Sequence, residues 1–538
     1  MRYIIGFDLG THQTKICILD AANPDNKFYE FMEFENTQRG VSPLLPSIVQ
    51  INEDKTVSYG YVDLSLQMAG EGYESMKPRK PVLQDLPAEP KPPEYVEPTC
   101  PERPALTWKD KVRALLHLKT SRDEWEQKCK NISEQARKEW QDACEMNKIM
   151  YTSVCESVRK NNEDNLESYR EELAKWIEEK GGKYVFRYFK QKAFTGIGKW
   201  DAEAFSAEEV TVWYIAYVLH LVKEKIGDDF VAQFGVPIGN YNSANDKRIR
   251  ERAYCLYVAA YNLYAKYADV NAYKKASYEE LRGNTHIAAY VPDAEKGIFD
   301  DLPEAYAGLF PLVDSGYING GFNLLVDIGG GTTDMALFCV NYKERQPDVI
   351  EMKSIQKGLN YIFEKSSDGT LKDLRKMQER FRREPEAQVF TDSIEEYHEE
   401  LKALSVGLSD RLWKAFNFYK KRDNLSKSSL RYALENQRVI YCGGGSVYEI
   451  LHQQFPYFTD IKCINHQLLN INNLINEDHI PDNLYPILAT SYGLASFQKK
   501  YGEDEVKCTP VEDVFRNIFS EDTDESRHYD YEYGITDT

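Results

Sequence analysis

The chain has 538 residues, 42% of them hydrophobic and 28% charged, ordinary globular values with enough apolar side chain for several cores. Its 67 basic against 86 acidic residues give a formal charge of −19, and so acidic a surface disfavours nucleic acid and membrane as partners. Ten cysteines spread from Cys17 to Cys508 without a CxxC pair or a Cys/His cluster at metal-ligand spacing, which argues against a disulfide framework and a zinc site and predicts the buried thiols of a cytoplasmic protein.

The first residues, Met1-Arg2-Tyr3-Ile4-Ile5-Gly6-Phe7-Asp8, put a charge where an export signal needs its apolar stretch, so none is expected. Runs rich in β-branched and aromatic residues, Tyr3 to Leu9, Thr14 to Leu19, Lys27 to Phe34 and Ser47 to Ile51, predict a meander of antiparallel strands. Between Lys77 and Pro104 stand nine prolines, which sustain neither helix nor central strand and predict an extended linker.

Beyond it, Ser121 and Glu124 read as a capping box, and Trp125, Cys129, Ile132, Ala136, Trp140 and Ala143 recur on one helical stripe. A second helical stretch through Leu166, Tyr169, Leu173 and Trp176 stops at Gly181-Gly182, so a helical hairpin packed on the rest of the protein is expected. An α/β pattern follows. Ser206 with Glu209 caps a helix, and Val210 to Val222, interrupted by Thr211 and His220, is too short for a membrane span and reads as a buried helix. The strand Phe230 to Val236 ends at Pro237, and mixed strands and helices continue to about Lys500. The last segment, Phe519 to Thr538, is acidic and poor in apolar residues, the composition of a flexible tail.

Two segments echo each other: Phe7-Asp8-Leu9-Gly10-Thr11-His12-Gln13-Thr14 and Val326-Asp327-Ile328-Gly329-Gly330-Gly331-Thr332-Thr333-Asp334. In each, an apolar strand delivers a carboxylate to its end, and residues without bulk then let backbone N–H groups converge as a phosphate oxygen requires. Two such hairpins face to face would clamp a polyphosphate, with magnesium set between the phosphates and the carboxylates. A third strand, Val439-Ile440-Tyr441-Cys442, runs into Gly443-Gly444-Gly445-Ser446 before a helix-like stretch from Tyr448 to Phe455, a turn that lets backbone approach a flat ring or a phosphate. Neither the GxxxxGK[ST] nor the GxGxxG pattern is present.

These three glycine segments, in this order, resemble the two phosphate motifs and the adenosine motif of the actin, sugar kinase and heat-shock protein 70 superfamily. Ile5-Gly6-Phe7-Asp8-Leu9-Gly10-Thr11, Leu45-Pro46-Ser47-Ile48-Val49, Gly235-Val236-Pro237 and Ser491-Tyr492-Gly493-Leu494-Ala495 resemble the heat-shock protein 70 branch. The resemblance implies an α/β, two-lobed actin-like ATPase (ribonuclease H-like) fold with a helical insertion. Lobe I would begin at residues 1–76, break for a proline-rich and helical insertion at 77–183, and resume at 184–323. Lobe II would span 324–500, and a tail 501–538.

It further implies that Asp8 and Asp327 organise magnesium and the attacking water, and that Thr332 contacts the terminal phosphate. Gly10, Thr11 and His12 would wrap the phosphates from one side and Gly329, Gly330 and Gly331 from the other. Gly443, Gly444, Gly445 and Ser446 would line the adenosine side, with Gly358 also touching nucleotide. The sequence departs from the family in four places. The catalytic lysine expected after Tyr59-Gly60 is missing, with Asp63 and Leu64 near its place. Leu302 stands for the glutamate before Pro303, Val447 for an arginine, and His12 for a threonine.

Too few residues follow the nucleotide domain for a peptide-binding domain. The implied function is an ATP/ADP-dependent conformational switch with slow magnesium-dependent ATPase activity, read by a protein partner. The alternatives are an actin-like filament subunit and a noncatalytic ATP-binding scaffold; a sugar kinase lacks a recognisable substrate motif.

Overall fold

The computed structural model describes residues 2–22, 27–36, 40–52, 54–62, 81–180, 184–196, 200, 204–237, 244–289, 299–314, 318, 322–341, 346–367, 371–420, 437–453, 455, 458, 460–497, 508–510 and 513–514. The chain divides into two compact units, Met1–Ser75 with Lys180–Thr538, and Met76–Glu179. Asp63, Leu64, Lys77, Gly181, Gly182 and the acidic tail from Phe519 lie outside the described residues.

The larger unit opens with β1 (Tyr3–Leu9), β2 (Gln13–Asp20) and β3 (Phe28–Phe31), antiparallel neighbours in sequence order. Here the predicted third strand is cut at Met32: β4 (Phe34–Asn36) leaves to pair with β5 (Gly40–Ser42). The short β6 (Leu45–Pro46) pairs with β2, and β7 (Val49–Ile51) sits between β8 (Val57–Tyr59) and β9 (Tyr184–Phe186). Two parallel strands, β10 (Phe230–Val236) and β11 (Phe299–Pro303), complete the main sheet in the order β11-β10-β1-β2-β3.

A second sheet repeats this plan. β12 (Phe322–Ile328), β13 (Thr333–Asn341) and β14 (Gln346–Ile355) are antiparallel, and β15 (Arg438–Cys442) and β16 (Asp460–Cys463) add in parallel, in the order β14-β13-β12-β15-β16. Both sheets thus place their first strand in the middle, with its hairpin partner on one side and a parallel crossover on the other. This is the duplicated α/β plan of the two-lobed actin-like, ribonuclease H-like fold.

In chain order the helices are α1 (Trp108–Leu115), α2 (Ser121–Lys180), α3 (Phe189–Thr195), α4 (Ala207–Ile226), α5 (Ala244–Tyr264), α6 (Val270–Lys275) and α7 (Tyr278–Asn284). After them come α8 (Glu304–Asp314), α9 (Leu359–Lys365), α10 (Leu371–Arg383), α11 (Thr391–Lys420), α12 (His466–Leu469) and α13 (Tyr485–Ser496). As expected, α4 begins at a Ser206/Glu209 capping box and buries Val210 to Leu219. No described helix is long and apolar enough to cross a membrane. Among the described residues of the helix expected from Tyr448 to Phe455 there is only a 3₁₀ turn, Glu449–Leu451.

One apolar cluster joins the two sheets through α8 and α13: Leu19 of the first sheet and Leu325 and Ala336 of the second share it with Leu309, Leu488 and Leu494. The two helices cross at Gly493, where a Cβ would stand 1.7 Å from the Ala307 carbonyl oxygen. Only glycine permits that approach.

In the smaller unit, α2 is one helix of 60 residues rather than the predicted hairpin. No proline or glycine interrupts residues 121–180, so nothing stops propagation. Its start is set one residue earlier than expected. The Thr120 hydroxyl donates to Asp123 Oδ2 at 2.7 Å and accepts from the Asp123 amide at 3.3 Å. Nor is the proline-rich segment a free linker. It lies along α2, where the indoles of Trp125 and Trp140 donate to the carbonyls of Pro101 and Pro93, both at 2.7 Å, and Asn162 exchanges hydrogen bonds with the Gln84 backbone. Between Trp125 and Asn162 the strap lies on the apolar stripe of α2.

Candidate functional site

The first strand of each sheet carries its aspartate one residue from its end: Asp8 precedes buried Leu9 in β1 and Asp327 precedes buried Ile328 in β12, and the two carboxylates act on one another electrostatically. Around them the fold gathers charges from distant parts of the chain. Lys15, directly across the hairpin from Asp8 in β2, reaches its Oδ2 at 2.7 Å. Lys190 of α3 is buried, 2.5 Å from Glu304 Oε1 at the head of α8. Asp334, opposite Asp327 in the second hairpin, is buried and accepts a 3.0 Å hydrogen bond from the Thr332 hydroxyl.

Four carboxylates and two ammonium groups therefore share one enclosed space, and their ionisation shows the strain. Asp327 is pushed up to about 7 by burial first and then by Asp8 and Glu304. Asp334 is also raised to about 7, by burial and then Glu304. Burial raises Glu304 as well, with Lys190 partly offsetting it. Burial alone would lower Lys190, but Glu304, Asp8 and Asp334 outweigh it and hold this ammonium above its ordinary value. Fully ionised, the cluster has two negative charges in excess, which suits a divalent cation. Among the described residues no group of three His, Cys, Asp or Glu is placed to hold a cation by itself.

The glycine segments surround this cluster. The Gly329 amide donates to the Thr332 carbonyl at 2.9 Å, closing the second hairpin turn. Gly358 caps α9, whose Leu359 and Asn360 amides donate to the carbonyls of Gly329 and Gly330. Gly443 has φ +80°, and a Cβ there would stand 2.1 Å from Asp327 Oδ1, so conformation and proximity both demand glycine. A Cβ on Gly444 would meet nothing, leaving that face open, while the Gly445 amide donates to the Ile328 carbonyl at 2.8 Å. The Ser446 hydroxyl turns inward to the Gly443 carbonyl at 2.7 Å, and the residue is buried. On the first hairpin, the Gly10 carbonyl accepts from the Ser47 hydroxyl at 2.7 Å.

The two loops touch. A Cβ on Gly331 would stand 3.0 Å from Thr11 Oγ1, and one on Gly330 would stand 2.1 Å from the His12 ring. His12 is lowered to about 4, chiefly by burial, and is neutral near pH 7. Its ring nitrogens lie 2.6 Å from Asn360 Oδ1 and 3.1 Å from Gln378 Nε2. A neutral imidazole with its proton on Nε2 satisfies both, donating to Asn360 and accepting from Gln378. His12 thus pins the first hairpin to α9 and α10 of the second lobe. If the loops part to admit a ligand, these bonds are lost. His12→Ala is expected to tighten nucleotide binding several-fold by removing that conformational cost and to lower the melting temperature of the ligand-free protein; unchanged affinity by calorimetry would show that the latch does not oppose binding.

Lys15, Lys190, Glu304, Asp334, Asn360 and Gln378 are site residues the sequence did not single out. The lysine looked for after Tyr59-Gly60 is absent there, but Lys190 reaches the carboxylates from beyond the 76–179 unit. Likewise Leu302 is a core residue, while Glu304, on the other side of Pro303, enters the site. Val447 is exposed.

No family model and no curated protein matches the sequence. Among solved structures the chain is similar to MreB5 of Spiroplasma citri bound to ADP, at 10% identity and a TM-score of 0.35, over 91% of this chain and 95% of that one.

Proposed function

We propose that the chain binds ATP with magnesium between its two lobes and hydrolyses it slowly, acting as a heat-shock protein 70-like switch whose nucleotide state a protein partner reads. The observation that carries this is the cluster of Asp8, Asp327, Asp334 and Glu304 with Lys15 and Lys190, set between two facing glycine hairpins. Asp8 and Asp327 would hold magnesium, which would neutralise charge on the phosphates. Backbone amides of Gly10, Thr11 and His12 and of Gly329, Gly330 and Gly331 would take the phosphate oxygens, Thr332 would reach the terminal phosphate, and Gly443, Gly444 and Gly358 would border the nucleoside. Lys190, fixed by Glu304, would supply the cation that the sequence lacks after Gly60, and Asp8 with Asp327 would orient the attacking water.

Titration calorimetry tests the assignment. Wild type is expected to bind ATP with magnesium far more tightly than without it, and Asp8→Asn and Asp327→Asn to lose most of that magnesium dependence while keeping the far-ultraviolet spectrum. Equal affinities in all three proteins would remove both aspartates from the site. Sedimentation with ATP distinguishes the filament subunit, which pellets, from the switch, which stays a small oligomer.

A further inference from the structure

The proline-rich strap runs along α2 (Ser121–Lys180) in the opposite direction, and three bonds fix its register. Pro101 lies against Trp125, Pro93 against Trp140 and Gln84 against Asn162. From Pro101 to Pro93 an extended, polyproline-like chain covers about 25 Å, and from Trp125 to Trp140 a helix rises about 22 Å. Each strap residue therefore passes about two residues of the helix. Cys100 stands next to Pro101 on the side that leads towards Trp140, so it passes the turn of α2 that runs from Trp125 to Cys129.

Cys129 is four residues beyond Trp125 and shares its face of the helix. The strap is held there at two points: the Trp125 indole donates to the Pro101 carbonyl at 2.7 Å, and the Arg103 guanidinium stands 5.7 Å from the Trp125 ring centroid. The two thiols meet. Burial first, and then a hydrogen bond with the Cys100 thiol, hold Cys129 above its ordinary pKa. Cys100 is exposed, Cys129 is half-buried, and both are free thiols. The pairing is specific, since Cys100 is the one cysteine of the strap and the next cysteine of α2, Cys144, lies about 22 Å further along the helix.

From this juxtaposition we infer that Cys100 and Cys129 form a redox-sensitive modification site, oxidised to a disulfide by a low-molecular-weight disulfide of the glutathione kind. The Cys100 thiolate, open to solvent, attacks one sulfur of the external disulfide; a mixed disulfide forms, the external S–S bond breaks, and one thiolate leaves. Cys129 then gives its proton to water and attacks Cys100 Sγ. The Cys100–Cys129 bond forms, the mixed disulfide breaks, and the second thiolate leaves. Two cysteine sulfurs are oxidised and one external disulfide is reduced to two thiols. The product ties the strap to α2 and closes a ring that contains α1 (Trp108–Leu115), so that a strap held by hydrogen bonds becomes one that cannot lift from Trp125. In a reducing compartment the pair stays open. This rests on the 76–179 unit alone and is independent of the nucleotide reading.

Oxidised glutathione added to the reduced full chain tests it, with the remaining thiols then blocked by alkylation and the protein mapped by mass spectrometry. Wild type is expected to give the Cys100–Cys129 cross-link as its main product, and dithiothreitol to remove it. Cys129→Ser is expected to stop with one glutathione on Cys100. Cys100→Ser is expected to leave Cys129 unmodified over the same time. Trp125→Phe keeps the ring but loses the donor to Pro101, and is expected to slow closure of the mixed disulfide several-fold while leaving its formation at Cys100 unchanged. Circular dichroism showing wild-type helicity in the three variants separates these effects from misfolding. Wild type whose ten thiols all stay free, or which keeps glutathione on Cys100 without passing the bond to Cys129, or which joins other cysteines as readily, would overturn the inference.

Discussion

Lys190→Ala is expected to slow single-turnover ATP hydrolysis by about 100-fold or more, with a smaller change in ATP affinity. Lys190 is the ammonium that Glu304, Asp8 and Asp334 hold above its ordinary pKa in a buried setting, so its charge is fixed and aimed before any ligand arrives. A preorganised charge of this kind acts mainly where negative charge develops, which is why the rate falls more than the affinity. The same substitution strands Glu304 in the interior, and removing one partner of a buried pair costs roughly 3 to 5 kcal/mol. A loss of activity could therefore be loss of fold. Lys190→Met combined with Glu304→Gln separates the two, since replacing both charges by neutral groups of similar size restores much of the stability but none of the cation. The double variant should melt near wild type and hydrolyse as slowly as Lys190→Ala. Recovery of hydrolysis along with stability would show that Lys190 is structural, and the reacting phosphate would have to be served by Lys15.

The aspartates were legible in the sequence because everything that places them is local. An apolar strand of fixed length, a carboxylate at its end and a glycine turn bring Asp8 and Asp327 to corresponding points of two sheets with the same strand order. Lys190 was not, since the 76–179 unit separates it from the strand β8 (Val57–Tyr59) after which a lysine was sought. A basic residue on a helix of seven residues carries no pattern of its own. Glu304 left no such trace: the strand before it, Phe299-Asp300-Asp301-Leu302-Pro303, is not an apolar run, and the carboxylate stands just after Pro303 at the entry to α8.

Long-range pairing explains the other misses. The spacing from Trp125 to Tyr169 identified a stripe that would be covered, but assigned the cover to the rest of the protein. A proline-rich chain has no periodicity that announces its partner, and it found one in the tryptophans of α2. His12 stood out only as an unusual residue in a phosphate loop. Its bonds to Asn360 and Gln378 span 348 and 366 residues, a pairing that only the closing of two lobes creates.

Without ligand, Asp327 and Asp334 are expected to destabilise the protein increasingly as pH rises from about 4 to about 7, against an opposite contribution from His12 below pH 6.5, and their share of the loss should be reversed by magnesium with ATP. Asp327 and Asp334 both stand at about 7 in the folded state against the ordinary 3.8 of an unfolded aspartate. Below both values the two carboxyls are protonated in either state, and no penalty exists. Between them the unfolded chain has released its protons and the folded one has not. Because the folded state binds more protons there, the free energy of unfolding falls with increasing pH. Above about 7 the carboxylates are ionised in both states, and the penalty of confining them beside Asp8 and Glu304 is complete, amounting to a few kcal/mol. A bound divalent cation inverts this balance, for it needs the ionised form and competes with the protons. Affinity for magnesium with ATP should therefore rise about tenfold or more between pH 6 and pH 8, with proton release visible as a dependence of the binding enthalpy on the buffer. Asp327→Asn and Asp334→Asn should each flatten the fall in melting temperature over this range and raise it at pH 8, because each removes one confined charge. A melting temperature in wild type that climbs steadily from pH 5 to pH 8 without ligand, unaffected by either substitution, would mean that these carboxylates are neither crowded nor coupled, and would remove the physical reason for placing a cation among them.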